Sequence, residues 1–265
     1  MANRIDEKLS ALKSAGATAL VPFITVGFPD VETSEELAKA VLDAGGDMLE
    51  LGVPFSDPVA DGPTIQMTSF RALEQGANVR TSINVVRNLR NAGVSSPLIF
   101  MGYLNPFLHY GIERFARDAS EAGLDGIIIP DLPPEEAEPY LTALERHGIY
   151  LIPLLAPTST AERIAQACKH AKGFIYCVSL TGVTGARQTT SGGISDLVNA
   201  IRGQTDLPVL VGFGVSKREH VETIGQFADG AVVGSALLNA VNDSPPGESV
   251  EAARAFVKNL RGTDQ

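Results

Sequence analysis

Few of the residues that metal, redox or nucleic-acid chemistry depends on occur in this chain. It has two cysteines, Cys168 and Cys177, at a spacing that suits neither a metal site nor a redox pair. The expectation is a reducing, cytoplasmic setting. Its four histidines, His109, His147, His170 and His220, fall in helical stretches or their flanks without metal-ligand pairing, which disfavours a zinc enzyme. Lysine and arginine number 21 against 31 acidic residues, and the net charge of −10 argues against nucleic acid or an anionic membrane as partner. An anionic substrate would have to be gripped locally, by backbone N–H groups. Long hydrophobic runs are missing too. Ala19 to Phe28 is apolar but too short to span a bilayer and is interrupted by Pro22, while Met1 to Ser14 lacks the apolar core of a signal segment. Aromatic residues make up only 6%, but a hydrophobic content of 44% supports a full core, and 26 glycines suit many tight connections.

What is present is a repeating unit: an amphipathic helix, a glycine stop, a short apolar strand, then a polar loop. Leu37 to Ala44 stops at Gly45-Gly46 and leads into Met48 to Gly52. Phe115 to Ala122 stops at Gly123 and leads into Gly126 to Asp131; Ala137 to Arg146 and Val221 to Phe227 repeat the pattern. Glycine just past a helix is a C-cap signal, and unbroken apolar strands read as buried on both faces. Strands are expected near 19–26, 48–52, 97–102, 126–130, 149–155, 173–178, 207–212 and 229–233. Eight strand–helix units in 265 residues predict one α/β domain over residues 1–265, a closed (β/α)8 barrel, with Ile5 to Ala15 as an extra N-terminal helix able to cover its floor. An open doubly wound sheet is the alternative, but Thr25 to Asp30 does not carry the dinucleotide fingerprint that would follow its first strand.

Active sites of such barrels lie at the C-terminal strand ends. No lysine stands at any of these ends, which disfavours a Schiff-base aldolase. Carboxylates, a tyrosine and glycine turns remain. Glu50 sits between Leu49 and Leu51, so if the leucines face the helices it points into the enclosure. A carboxylate there either serves acid–base chemistry or is a structural group tied to donors. Asp57 and Asp61 follow in a loop closed by Gly62-Pro63, as solvated loop acids or as a second functional carboxylate. Tyr176 reads equally as a core aromatic or a supporting group. Val211 to Ser216 and Val233 to Ala236 place glycine turns after the seventh and eighth strands, where a phosphate commonly rests, although such turns also serve tight connections alone. The glycine-hinged stretch Ser179 to Gly193 is long enough to act as a lid.

Glu50 through Gln66, together with Pro22 to Pro29, Met101 to Pro106, Pro130 to Pro133, Gly182 to Gly185, Gly212-Phe213-Gly214 and Gly234-Ser235, resembles the tryptophan synthase α chain family, and likewise the plant indole-3-glycerol phosphate lyases. The likeness spans essentially the whole chain. It implies a barrel that cleaves indole-3-glycerol phosphate to indole and glyceraldehyde 3-phosphate. It further implies an αββα assembly with a β chain that carries pyridoxal phosphate, and no cofactor or metal on this chain. By the resemblance, Glu50 is the general acid–base, Asp61 orients the indole N–H, and Tyr176 supports Glu50. Phe23, Met101, Ile128 and Phe213 would line the indole pocket. Gly185, Phe213, Gly214, Gly234 and Ser235 would hold the phosphate, and Thr184 would contact Asp61. Pro54, Asp57, Asn105, Phe107 and Asp131 would face the β chain. The competing readings are another phosphosugar barrel, such as an epimerase or isomerase, and a chain that mainly activates a partner.

Overall fold

Parallel strands alternate with helices from one end of the chain to the other in the computed structural model, which describes residues 3–178, 191–212 and 214–262. The strands are β1 (Ala19–Thr25), β2 (Leu49–Gly52), β3 (Leu98–Met101), β4 (Gly126–Ile128), β5 (Tyr150–Ile152), β6 (Leu154–Leu155), β7 (Ile175–Val178), β8 (Val209–Gly212) and β9 (Gly230–Val233). Their spatial order is β5-β4-β3-β2-β1-β9-β8-β7-β6, every neighbouring pair parallel. The two ends of that order are consecutive in sequence and separated only by Pro153, so the expected fifth strand is one stave broken in two. Proline has no N–H to give to a ladder, which is why the run 149–155 does not pair as a single strand. Its carbonyl still accepts from the Tyr176 N–H at 3.0 Å. Eight staves thus form the (β/α)8 barrel.

Two apolar layers follow from strand alternation. Leu49, Leu51, Leu98, Phe100, Ile127, Ile175, Val209 and Val211 point outward into the layer shared with the helices. Met48, Ile99, Ile128, Ile152, Phe174, Tyr176, Leu210 and Val232 fill the interior. The leucines beside Glu50 therefore face outward, and Glu50 projects into the enclosure.

The barrel floor is closed by the helix Arg4–Ser14, as expected. Asn3 caps it by accepting from the Ile5 N–H at 2.9 Å, while its amide donates to the carbonyls of Asp125 and Gly148. Ile5 is buried among the interior residues. Asp125, just ahead of β4, accepts from Arg4 at 2.8 Å, from Arg90 at 2.6 Å and from the Leu98 N–H at 2.8 Å. At the far end of the chain, Arg261 donates to the Gly45 carbonyl and pairs with Asp47, tying the Ser249–Arg261 helix to the wall.

The one-helix-per-strand reading is too simple in three places. Two helices follow β2 (Pro63–Glu74 and Val79–Asn91), two follow β3 (Leu104–Tyr110 and Ile112–Ala122), and two follow β9 (Ser235–Asn242 and Ser249–Arg261). The additional helices after β2, β3 and β9 all start near the C-terminal rim of the barrel. They wall the mouth.

Candidate active site

Glu50 is 1% exposed and lies in register with Phe23 of β1 and Ile99 of β3. Its Oε1 is buried with no hydrogen-bond partner among the described residues. Burial, and secondarily the nearby charge of Asp61, push its carboxyl up to about 8. An ordinary structural carboxylate would be tied to donors and held low. This one is kept protonated near neutral pH and free to act.

Asp61 arrives from the loop after β2. That loop leaves the strand at Val53, whose N–H donates to the Met101 carbonyl at 2.8 Å. Ser69 then holds its middle, accepting from the Phe55 N–H at 2.9 Å and donating to the Phe55 carbonyl at 2.8 Å. Gly62 and Pro63 turn it into the Pro63–Glu74 helix, with proline in the first turn where its missing N–H costs nothing. Gln66 donates to the Asp61 carbonyl at 2.8 Å, and the Asp61 side chain accepts from the Tyr103 hydroxyl at 2.9 Å. Burial raises the Asp61 carboxyl to about 6, against the lowering effect of the Tyr103 bond.

Tyr176 projects inward from β7, and its hydroxyl is held well above its usual range by burial, then by the charges of Glu50 and Asp61. Glu50, Asp61 and Tyr176 therefore lie near enough for their charges to act on one another. Gly212, on the neighbouring strand, must lack a side chain because a Cβ there would collide with the Tyr176 hydroxyl. Phe23 is buried between the ends of β2 and β9: a Cβ at Gly52 would fall 2.5 Å from its Cζ, and one at Gly234 would fall 3.5 Å from its Cβ. Phe23, Thr25, Gly52, Asp61, Ile65, Met101 and Tyr103 line a cleft of about 320 Å³. Ile128 lies deeper, in the sealed interior.

The glycine turns sit on the same rim, since β8 and β9 pair in parallel. Gly214 has φ +48°, a left-handed conformation that glycine takes without strain. Gly234 precedes the Ser235–Asn242 helix, and its carbonyl accepts from the Leu238 N–H at 3.0 Å. Ser235 is exposed at that helix N-terminus, where unpaired N–H groups and the helix dipole favour an anion. Thr184, Gly185 and Phe213, with the stretch read as a lid, lie outside the described residues.

Of the residues expected to face a partner, Asp57, Asn105 and Asp131 are exposed. Pro54 and Phe107 are not. Pro54 is buried under the loop, and Phe107 is fully buried with its ring 4.7 Å from that of Phe115. The inner face of the Leu104–Tyr110 helix takes Phe107 into the core, and the next residue, Leu108, is the apolar side chain left exposed. Val59, 83% exposed, stands beside Asp57. Tyr103 falls within the stretch Met101 to Pro106 that carries the family likeness, and nothing in the sequence gives it a role. Only the fold shows that it reaches Asp61 from 42 positions away.

A larger apolar cavity, about 490 Å³, lies elsewhere, between Ile129, Leu132, Leu141 and the strand ends at Ile152 and Leu154. Its lining is mostly aliphatic, with Gln166 and His170 at one side and no carboxylate. Among the described residues no three His, Cys, Asp or Glu side chains come together as a metal site would need.

A family model described as tryptophan synthase alpha chain matches residues 9–263. The tryptophan synthase alpha chain of Roseiflexus sp. strain RS-1 is 51% identical over 260 residues, 98% of this chain and 100% of that one. That of Chloroflexus aggregans is 49% identical over 97% of each. The crystal structure of tryptophan synthase subunit alpha from Legionella pneumophila superposes with a TM-score of 0.92 at 38% identity, covering 99% of this chain and 98% of that one. With identities of this size running from the floor helix to the last helix, the chain belongs to the tryptophan synthase alpha chain family, lyases that cleave indole-3-glycerol phosphate to indole and glyceraldehyde 3-phosphate.

Proposed function

We propose that Glu50 and Asp61 carry out the retro-aldol cleavage of indole-3-glycerol phosphate in the cleft at the barrel mouth. The observation that carries this reading is a buried Glu50 carboxyl whose Oε1 has no hydrogen-bond partner among the described residues, near an Asp61 carboxyl held by Tyr103, with burial pushing Glu50 up to about 8 and Asp61 up to about 6. Glu50 delivers its proton to the indole C3, giving a cationic indolenine-like intermediate. Asp61 accepts the ring N–H and stabilises the developing positive charge. The carboxylate left on Glu50 takes the proton of the glycerol hydroxyl next to the ring. The bond between C3 and that carbon then breaks, its electrons return to the ring, and indole leaves with its new C3 hydrogen. The hydroxyl carbon becomes the aldehyde of glyceraldehyde 3-phosphate, and Glu50 ends protonated, as it began. Tyr176 packs beside Glu50 and keeps water from it. Phe23 forms one wall of the indole slot, and the phosphate rests on Gly214, Gly234 and the N-terminus of the Ser235–Asn242 helix, completed by Thr184, Gly185 and Phe213.

The same pair sets the pH dependence. Asp61 must be ionised to hold the N–H and Glu50 protonated to act first. The expected profile of kcat/KM is a bell, falling below about 6 and above about 8. The direct test is release of free indole and glyceraldehyde 3-phosphate by the purified chain. Substrate consumed without indole appearing, as an epimerase or isomerase would do, sinks the reading.

The chain works with a β chain carrying pyridoxal phosphate, in an αββα assembly in the cytoplasm. Val59, in the loop with Asp57, and Leu108, in the helix with Asn105, are exposed apolar side chains that could enter such an interface, and Asp131 is an exposed polar one. Tryptophan synthase of Saccharomyces cerevisiae supports the pairing: it is 41% identical over 98% of this chain, which accounts for only 37% of its length. No described helix is long and apolar enough to cross a membrane.

A further inference from the structure

We infer that Tyr103 is a positioning residue for the reaction, a clasp whose hydroxyl fixes the Asp61 carboxylate in line with the indole N–H. The inference rests on the reading of Asp61 given above. The Tyr103 hydroxyl donates to Asp61 Oδ2 at 2.9 Å and accepts from the Ala60 N–H, also at 2.9 Å. One oxygen thus holds both the acid and the peptide just before it. Asp61 sits in an irregular loop, and a loop carboxylate left alone samples several rotamers. Two bonds to one rigid phenol remove that freedom.

The phenol is itself fixed from three directions. Its ring packs on Phe55, centroids 5.4 Å apart, so the clasp also grips the first half of the loop. Gly102, immediately before it, donates to the Ile128 carbonyl at 3.1 Å. Leu104, immediately after it, donates to Asp131 Oδ1 at 2.9 Å. Asp131 comes from the loop after β4, so three consecutive rim loops are joined through the Tyr103 ring and the backbone N–H groups on either side of it. Tyr103 is buried and cannot be exchanged for water without opening this rim.

Among the described residues, the charged and titratable groups that bear on Asp61 are Glu50 from β2, Tyr176 from β7 and Tyr103 itself, with Asp131 acting on Tyr103. Of these only the Tyr103 hydroxyl favours the ionised form of Asp61 by a hydrogen bond. Deleting it shifts Asp61 toward its neutral form.

Tyr103→Phe keeps the ring, the cleft wall and the Phe55 contact. Expected are a fall in kcat of about ten-fold, the loss of one hydrogen bond to a charged group, with KM little changed, and an acidic limb of the pH profile moved to higher pH. In an Asp61→Asn background the same change should cost nothing further. Carboxyl carbon NMR of substrate-free protein should show Asp61 titrating at higher pH in Tyr103→Phe than in the parent. That readout needs no turnover: if the parent chain releases no indole, the function proposed above fails while the clasp is still tested. An unmoved Asp61 titration, or an equal ten-fold loss in the Asp61→Asn background, overturns the inference.

Discussion

Glu50→Gln should lower indole release by roughly 10²- to 10⁴-fold, the usual yield of a lost acid–base group, and at the same time make the ligand-free chain more stable in alkaline solution. Both effects come from the same burial. In the unfolded chain this carboxyl ionises near 4.5, whereas in the fold it keeps its proton up to about 8. Between those values the folded protein binds the additional proton. Stability contributed by the neutral acid is thus complete below 4.5, is lost as pH rises toward 8, and levels off above it. The span corresponds to a penalty on the order of 5 kcal/mol. Glutamine has no proton to lose and escapes the penalty, so parent and variant should unfold at similar urea concentrations near pH 4.5 and diverge as pH rises, the variant leading. Urea midpoints at about pH 4.5 and about pH 9 decide it. A gap that does not widen means that Glu50 is not held as a neutral acid, and the acid–base role goes with it.

Asp125→Ala should do the reverse, a large loss of stability with the chemistry left intact. Its carboxylate takes bonds from Arg4, Arg90 and the Leu98 N–H, and is 3% exposed. Arg90 is mostly buried, with further bonds to the carbonyls of Gly123, Val94 and Ser96 that carry no full charge. Removing Asp125 strands that guanidinium in a poorly solvated place, an error that costs roughly 3–5 kcal/mol in buried pairs. Asp125 stands at the N-terminal end of β4, across the barrel from the mouth. The fraction that remains folded should release indole at the parent rate. A denaturation curve within about 1 kcal/mol of the parent would mean that the floor network contributes little.

The two ends of the barrel were unequally readable. Strand positions came through because each is a short apolar run bounded by glycine or a polar turn, and the floor helix because Ile5 to Ala15 is left over ahead of the first strand–helix unit. Glu50 could be oriented in advance because two outward leucines force it inward on any strand. Pro153 hid in an apolar run that reads as continuous until pairing has to pass through it. The resemblance placed Pro54 and Phe107 toward a partner, but both are buried: a short helix turns Phe107 under, and no local signal says which way that helix faces. Tyr103 lay beyond reach for another reason: its role is a contact 42 residues away in sequence, and a tyrosine beside a strand end looks the same with or without it.

The broken stave at Pro153 has a mechanical consequence. The hydrogen-bonded ring runs without interruption through β2, β1 and β9, behind Glu50 and the glycine cradle, and its break lies on the opposite arc. The apolar cavity of about 490 Å³ opens against that break, lined in part by Ile152, Pro153 and Leu154. That stave is held by β4 along its first half and by β7 along its second, so the wall has its fewest ladder bonds there and its breathing is steered away from Glu50. Amide protons of β5 and β6 should exchange with deuterium sooner than those of β1 and β2, and xenon under pressure should lodge behind Pro153 while leaving the cleft at the mouth empty.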